Sequence, residues 1–447
     1  MRNTDKRQRV EDAHLLLKKG IWMYFFLLIF EGALRKWILP GFATPLLVIR
    51  DPIALWLIVT SYNKGLLPSN LYLNGVVILG FLGIFTSVLF GHGNLLVALF
   101  GARTLLLHFP LIFVIGRIFD RADVLKMGKI TLMIAATMAV LVALQFYSPQ
   151  SAWVNRGVGG DIEGAGFTGA MGYSRPPGTF SFTNGVTLFY SFAACFVFYF
   201  LLNSKLINKL LLIAATAGLL VVIPLSISRG LFFSVGVIGI FVIIAASRKP
   251  RYLTRMLTAV LAVALIILVA NQFAFFRTAT EVFTARFTNA NESEGGLEGV
   301  FLDRYFGGLL SSFTLNSGLP VFGYGLGKLT NVGTMLLSGK TISGLAEGEW
   351  GRMIAESGPF LGLLLVFFRI GLSFKLALLS FQRLGQGNIL PWILMGFCLI
   401  IFPQGNWAQP TSLGFSTLIT GLVLASFRGP LRPNVETKDA RPKNKGN

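Results

Sequence analysis

An all-α integral membrane protein with about twelve transmembrane helices is the fold class that two features of this chain predict. Of the 447 residues 54% are hydrophobic and only 13% are charged. The mean hydropathy is +0.69, well above that of an ordinary soluble domain. In addition, apolar runs near the ~20 residues that cross a bilayer recur throughout the chain. They lie at about 21–39, 44–60, 71–90, 94–116, 124–147, 182–202, 208–226, 230–246, 253–276, 353–373, 388–403 and 411–427.

Positive charge is concentrated in alternate connections between these runs. The chain has 39 Lys and Arg against 19 Asp and Glu, a net charge of +20. Most of the basic residues lie in the tail 1–20, in RIFDRADVLKMGK, NSKLINK and SRKPRYLTR, and in the tail 428–447. By the positive-inside rule this pattern predicts that both basic tails are cytoplasmic. The first run has no small-residue cleavage site and is predicted to be a retained signal anchor.

The basic segments indicate membrane lipids rather than nucleic acid as a partner. Clustered Lys and Arg beside a bilayer attract anionic headgroups. No aromatic and basic surface and no nucleic-acid-binding motif accompanies them, so we expect no nucleic-acid binding.

Two long polar connections are predicted to lie on the outer side, at 148–181 and 277–352. Spans one to nine then fall within 21–276 and spans ten to twelve within 353–427. The second connection is too long for an idle loop and is expected to carry function. Its segment GVFLDRYFGGLLSSF has apolar residues at helical spacing, which predicts either an amphipathic helix on the outer membrane surface or the core helix of a small outer subdomain.

Two arginines stand at the predicted outer ends of spans. Arg175 precedes a Pro-Pro-Gly turn in YSRPPGTFSFTNG, and Arg229 lies in a very short hairpin in LSISRGLFF. A guanidinium held at headgroup level can bind a phosphate in a bidentate way. The alternative is an ordinary interface arginine that extends to water beside a helix start.

Further charges fall within predicted spans, where charge is costly and marks a functional hypothesis. Glu31 and Arg35 are four residues apart, so they are predicted to pair on one helix face. This pair is either a structural ion pair or part of a polar cavity. Arg103 with His108, and Arg369, are intramembrane charges whose partners the sequence does not reveal.

The stretch AEGEWGRMIAESGPFLG concentrates charge at the start of span ten. Glu349, Arg352 and Glu356 share a helix face, and Glu347 precedes them. A partly desolvated carboxylate here could act as a general base at neutral pH. The alternative is a solvated helix start with acids near its positive dipole end.

Two other kinds of site are not supported. The glycine-rich FGYGLGK, 322–328, matches neither G-x-G-x-x-G nor G-x-x-x-x-G-K, so no nucleotide site is expected. The histidines occur only at 14, 92 and 108 and form no ligand pattern, so we expect no metal and no cofactor. Cys195 and Cys398 lie in apolar spans and are predicted to be packing residues.

Together, RPPGTFSFTNG, the SRG at 228–230, VFGYGLGKLTN and AEGEWGRMIAESGPFLG resemble the O-antigen ligase and polysaccharide polymerase superfamily of bacterial envelope glycosyltransferases, over roughly residues 100 to 425. The resemblance implies metal-independent, inverting transfer of a glycan from an undecaprenyl-pyrophosphate carrier to an acceptor sugar hydroxyl, outside the bacterial inner membrane. Arg175, Arg229 and Arg352 would then bind the pyrophosphate. The histidine of the family's ligases falls on Glu347 here, so Glu347 or Glu349 would be the base.

This replacement favours a polymerase that joins repeat units, with Glu356, Glu31, Arg35 and Arg103 in supporting positions. The partners would be the carrier-linked glycan, an acceptor glycan, membrane lipids and other polysaccharide-assembly proteins. The alternatives are ligation of a finished glycan to a lipid or protein acceptor, a polytopic transporter or lipid-glycan flippase, and a structural membrane partner of an envelope assembly. No internal repeat is visible in the sequence, which disfavours the transporter.

Overall fold

The computed structural model describes residues 2–248, 250–293, 319–339 and 348–429. Glu347, the segment GVFLDRYFGGLLSSF and most of the tail 428–447 lie outside these residues. The α-helices are α1 Arg2–Ala33, α2 Ala43–Leu46, α3 Arg50–Asn63, α4 Leu71–Leu89, α5 Leu95–Arg103, α6 Phe109–Ile118, α7 Arg121–Tyr147, α8 Asn184–Leu202, α9 Lys209–Leu225, α10 Arg229–Ser247, α11 Pro250–Ala270, α12 Ala274–Ser293, α13 Asn331–Ser338, α14 Glu349–Gly385, α15 Leu390–Ile401 and α16 Pro410–Ser426.

The chain is a mostly helical, multi-pass membrane protein. Within the described residues, seven helical segments are long and apolar enough to cross a bilayer. They are Pro40–Asn63, Leu71–Leu89, Leu95–Ile118, Arg121–Tyr147, Asn184–Leu202, Arg229–Ser247 and Glu349–Gly385. Three further apolar helices, α9, α15 and α16, are shorter. The count of twelve spans stays a prediction.

The basic segments meet at one end of the bundle, which we call the basic end. Lys18 forms an ion pair with Asp123 at 2.6 Å. The backbone nitrogen of Arg121 donates to the Arg428 carbonyl at 3.1 Å, and its guanidinium donates to the Tyr199 hydroxyl. The middle of α1, the start of α7, the end of α8 and the segment after α16 are therefore neighbours.

Several other connections meet at the opposite end, which we call the site end. Arg35, after α1, contacts Ser181, before α8. Asn184 contacts Gln409, before α16. The site end therefore gathers the segments 34–49, 148–183, 226–228, 319–330 and 402–409.

Helix α8 forms the centre of the bundle because it is buried on nearly every side. It packs against α7, α9, α10, α15 and α16. Cys195 in α8 and Cys398 in α15 are fully buried free thiols. The predicted packing role of both cysteines is confirmed.

The connection 148–183 contains a short antiparallel hairpin that the sequence did not predict. Strand β1, Phe167–Ala170, pairs with β2, Tyr173–Arg175, so that Arg175 lies opposite Phe167. The amide of Gln145 holds the following turn through hydrogen bonds to the Gly178 nitrogen and carbonyl oxygen. This loop is therefore a fixed wall of the site end.

The predicted span ten, 353–373, lies within α14 and contains a break in the helix. Gly358 has φ +80° and ψ 167° inside α14, and Pro359 follows it. The chain direction reverses at this point. This is shown by the close approach of Gly362 to Ile354, where a Cβ atom on Gly362 would lie only 2.5 Å from the Ile354 Cα. Residues 349–357 thus form a short helix folded back against 359–385, since only glycine adopts this backbone conformation readily.

Candidate functional site

The glycine-rich segment 322–328 docks on the reversal in α14. The backbone nitrogens of Tyr324 and Gly325 donate to the carbonyls of Ala355 and Glu356 at 2.8 and 2.9 Å. The Leu326 nitrogen donates to the Ser87 hydroxyl at 2.7 Å. These N–H groups are used within the protein and cannot cradle a phosphate, so the glycines serve close backbone packing.

Residues 349–357 carry most of a buried charge network, which we call the buried network: Glu349, Arg352, Glu356 and Arg369. Arg352 donates to both oxygens of Glu349 at 2.8 and 2.9 Å and to Glu356 at 2.5 Å. Arg369 donates to Glu349 at 2.9 Å. The Leu329 nitrogen donates to the second Glu356 oxygen at 2.9 Å. The predicted shared face of Glu349, Arg352 and Glu356 is confirmed.

The alternative of a solvated helix start is wrong, because Glu349 is only 3% exposed and Glu356 only 2%. Arg369 is also fixed from the other side, where it donates to the Phe402 and Gly405 carbonyls. All three nitrogens of the Arg352 guanidinium donate to carboxylates. The two positive and two negative charges therefore satisfy one another, and the geometry is that of a structural network.

A polar cavity of about 330 Å³ opens at the site end. This volume lies within the ~300–1,000 Å³ usual for small-molecule sites. Side-chain amides, hydroxyls, one guanidinium and one carboxylate line it, together with two phenylalanines. Its polar lining residues include Glu31, Arg35, Ser181, Asn184, Asn331 and Gln409. No other carboxylate lies among the described residues of its wall.

One wall of the polar cavity depends on the close packing of the segment 179–181 against Gly32 of α1. A Cβ atom there would lie 2.3 Å from the Ser181 nitrogen. The Thr179 hydroxyl donates to the Ile29 carbonyl at 2.7 Å, and Arg35 donates to the Ser181 hydroxyl at 2.9 Å. The segment 179–181 therefore lies directly on the end of α1, beside Glu31.

The predicted Glu31–Arg35 pair is confirmed, at 3.3 Å. A second arginine, Arg50, lies 3.4 Å from the other oxygen of Glu31. Arg50 also donates to the Pro410 carbonyl at 2.7 Å. The carboxylate of Glu31 is thus held between two guanidinium groups, both at longer range than any contact in the buried network.

Asp51 is the partner of Arg103 and His108. Its two oxygens lie 2.8 Å from Arg103 Nη1 and 2.9 Å from His108 Nε2. The Tyr24 hydroxyl lies 3.0 Å from His108 Nδ1. Arg103 is the last residue of α5, and His108 ends the π-helical turn Thr104–His108 that joins α5 to α6. Such turns frequently mark functional positions.

Arg175 and Arg229 come together with Arg286 of α12, a set we call the arginine cluster. Burial and the positive charges of Arg286 and Arg229 lower the pKa of Arg175 below its ordinary value. The Arg175 Nε is buried and has no hydrogen-bond partner among the described residues. No acidic side chain of the described chain is among the groups that shift its pKa. Arg175 therefore lies in a positively charged environment.

The backbone around the arginine cluster is tightly constrained. A Cβ atom at Gly169 would lie 2.5 Å from Ile227 and 3.5 Å from the Arg175 Cγ. Ile227 has φ +48°, which is unusual for a β-branched residue. Ser228 caps α10, so Arg229 is its first residue. Strain of this kind often accompanies a functional position.

The first turn of α8 connects the arginine cluster to the polar cavity. Asn184 and Gly185 line the cavity. One turn later the Thr187 hydroxyl lies 2.8 Å from the hydroxyl of Ser228, which precedes Arg229. The cluster and the cavity are thus neighbouring parts of one site.

The structure divides the predicted site residues into three groups. Arg175 and Arg229 form the arginine cluster, Glu31 and Arg35 border the polar cavity, and Arg103 pairs with Asp51. Glu349, Arg352 and Glu356 form the buried network. Sequence reasoning missed Arg286, which lies in the predicted long outer connection and, in the structure, in α12. Arg50 and Asp51 lie inside the predicted run 44–60, and sequence reasoning gave them no role.

No group of three or more His, Cys, Asp or Glu with metal-binding geometry occurs in the part of the chain that the structure describes. Comparisons of the chain with family models, with curated proteins and with solved structures gave no match. The functional conclusion therefore rests on the geometry of the arginine cluster and the polar cavity.

Proposed function

We propose that this protein is a bacterial polysaccharide polymerase, which transfers an undecaprenyl-pyrophosphate-linked oligosaccharide to an acceptor sugar hydroxyl on the outer face of the inner membrane. The observation that carries the proposal is the arginine cluster beside a polar cavity. Arg175, Arg229 and Arg286 place three positive charges close together at the site end. Like charges so close repel, and a bound anion relieves the repulsion.

A lipid pyrophosphate fits this charge pattern. In glycan transfer the bond between the anomeric carbon and the carrier oxygen breaks, and negative charge develops on the pyrophosphate. Fixed guanidinium groups stabilise that charge and cost no reorganisation during the reaction. The buried Arg175 Nε without a partner is a donor that a phosphate oxygen can satisfy.

The polar cavity supplies a place for sugar. Hydroxyl, amide and carboxylate groups such as Ser181, Asn184 and Glu31 can hydrogen-bond sugar hydroxyls. In this proposal both termini are cytoplasmic, because the basic segments share the basic end and the site end lies opposite. The base is then a carboxylate at the site end, and Glu347 and Glu349 are the residues that the family resemblance assigns.

Glycan transfer by the purified protein in nanodiscs tests the proposal. Undecaprenyl-pyrophosphate-linked oligosaccharides from a panel are tested one at a time, each as the only substrate, with EDTA present. A ladder of longer products that is lost in Arg175→Ala and Arg229→Ala supports a polymerase. Consumption of the lipid-linked glycan only after addition of a separate acceptor indicates a ligase.

A different set of results would indicate that the protein transports the lipid-linked glycan across the membrane. The enzyme proposal is contradicted by two results together. No transfer occurs with the lipid-linked oligosaccharides, either alone or with a separate acceptor, and the intact lipid still moves across the bilayer in Arg175→Ala and Arg229→Ala. A flippase then becomes the better explanation. The matched control is Arg156→Ala, because Arg156 is an exposed arginine in the same outer connection.

A further inference from the structure

The carboxylate that faces the polar cavity is Glu31 in α1, not Glu349 or Glu356 in α14. Among the described residues of the cavity wall, Glu31 has the sole carboxylate. Glu349 and Glu356 do not line the cavity, and arginine or backbone donors at 2.5–2.9 Å engage all four of their oxygens. Their carboxylates are committed to the protein.

The carboxylate of Glu31 makes longer contacts than those of Glu349 and Glu356. Its contacts with Arg35 and Arg50 are 3.3 and 3.4 Å long, one to each oxygen. An ionised carboxylate has about four acceptor positions, so Glu31 keeps capacity for a ligand. The two arginines also fix the orientation of its carboxylate in the wall.

The groups around Glu31 suit a sugar. Asn184 and Gln409 are hydrogen-bonded to each other at 3.3 Å on the rim, and Ser181 and Asn331 add a hydroxyl and an amide. Phe100 and Phe182 supply apolar faces. Sites built to hydrogen-bond hydroxyls discriminate strongly against analogues that lack them. The polar cavity is therefore suited to hold the acceptor sugar.

We propose that Glu31 is the general base that accepts the proton of the acceptor hydroxyl, an inference that rests on the proposed glycan transfer. The acceptor oxygen forms a bond to the anomeric carbon of the donor sugar. The bond from that carbon to the carrier oxygen breaks, and its electron pair leaves with the pyrophosphate. The proton of the acceptor hydroxyl passes to the Glu31 carboxylate.

Arg50 then has a positioning role. It touches Glu31 from the side opposite Arg35 and is fixed by the Pro410 carbonyl, which belongs to the first residue of α16. Its neighbour in sequence, Asp51, holds Arg103 and His108. Two consecutive residues of α3 thus anchor the Glu31 side of the cavity to three other helices.

The test compares wild type with Glu31→Gln and Glu31→Asp in nanodiscs, with the undecaprenyl-pyrophosphate-linked oligosaccharide panel as probe. We measure kcat and the KM for acceptor between pH 5 and 9. For Glu31→Gln we expect a fall in kcat of about 100-fold or more, with a change in KM below about threefold, and loss of the acid limb of the pH profile. The control is Glu163→Gln, an exposed acid in the connection 148–183.

Glu31→Asp serves as a second variant in case Glu31→Gln does not fold. It keeps the charge between Arg35 and Arg50 but withdraws the carboxylate by one methylene, so we expect wild-type thermal stability and a kcat reduced about tenfold. A wild-type rate in Glu31→Gln, or in Glu31→Asp if the glutamine variant does not fold, overturns the role of Glu31. Failure of wild type to transfer any probe overturns the proposed function instead.

Discussion

The buried network and the arginine cluster are both arginine-rich groups at the site end, yet they are built for different purposes. In the buried network two arginines face two glutamates, and both oxygens of Glu349 and of Glu356 accept hydrogen bonds. In the arginine cluster the strongest charged neighbours of Arg175 are two more arginines. The first group is complete within the protein, whereas in the second the Arg175 Nε has no hydrogen-bond partner among the described residues.

The comparison shows why a charge in an apolar chain is an ambiguous signal. Arg175 and Arg352 both stand at the start of an apolar run and both fit a phosphate ligand by residue type. Their surroundings separate them. Arg352 donates from every nitrogen to a carboxylate, whereas the Arg175 Nε has no partner in the described part of the chain.

The largest expected effect is loss of stability when the buried network is broken. Glu349→Gln leaves Arg352 and Arg369 without their shared carboxylate in a dry environment, and we expect a destabilisation of about 3–5 kcal/mol. Thermal unfolding of the purified protein in detergent measures it. Glu281→Gln, at an exposed acid of α12, is the control and should unfold like wild type.

An unchanged unfolding temperature in Glu349→Gln would contradict the assignment of the buried network to structure. Glu349 would then again be a candidate for the general base.

The arginine cluster should show the reverse behaviour. Removing one charge from three like charges relieves repulsion, so Arg175→Ala should fold with at least wild-type thermal stability. Transfer should fall by about 100-fold, the usual effect of removing one group that stabilises developing charge. Parallel measurement of unfolding and of glycan transfer, with Arg156→Ala as control, checks both. Lower stability with intact transfer would show that Arg175 is structural.

The reversal in α14 gives a second test of the buried network. In Gly358→Ala, a Cβ atom would lie 2.1 Å from the Val321 carbonyl oxygen, at a φ of +80°. Backbone strain of this kind costs about 1–3 kcal/mol, so we expect a lower unfolding temperature. Gly385→Ala, at the far end of the same helix, meets nothing within 4 Å and serves as control. Equal unfolding temperatures would argue against the folded-back helix.

The smallest expected effect is ligand stabilisation through the arginine cluster. Inorganic pyrophosphate at ten times its Kd should stabilise wild type by about 1.4 kcal/mol through binding to the folded state. Arg175→Ala should lose this shift, and Glu349→Gln, where it folds, should retain it. A thermal-shift titration at constant ionic strength measures all three. A shift that persists in Arg175→Ala would place the anion elsewhere.

Contacts between near neighbours in one helix could be predicted from the sequence, but contacts between helices could not. The pairs Glu31–Arg35 and Arg352–Glu356 follow from four-residue spacing and are both observed. Helical periodicity puts such residues on one face wherever the helix packs. The reversal at Gly358 escaped prediction because a Gly-Pro pair in an apolar run also fits a kinked, continuous helix.

The sequence by itself determined that this chain is a multi-pass helical membrane protein, because length and hydropathy of apolar runs are local properties. It also singled out most of the charged residues that matter. Only the tertiary structure decided which of them meet: Asp51 with Arg103, Glu349 with Arg369, and Arg286 with Arg175. The reason is physical, since the neighbours of a helix depend on how all the helices pack together, and no single segment contains that information.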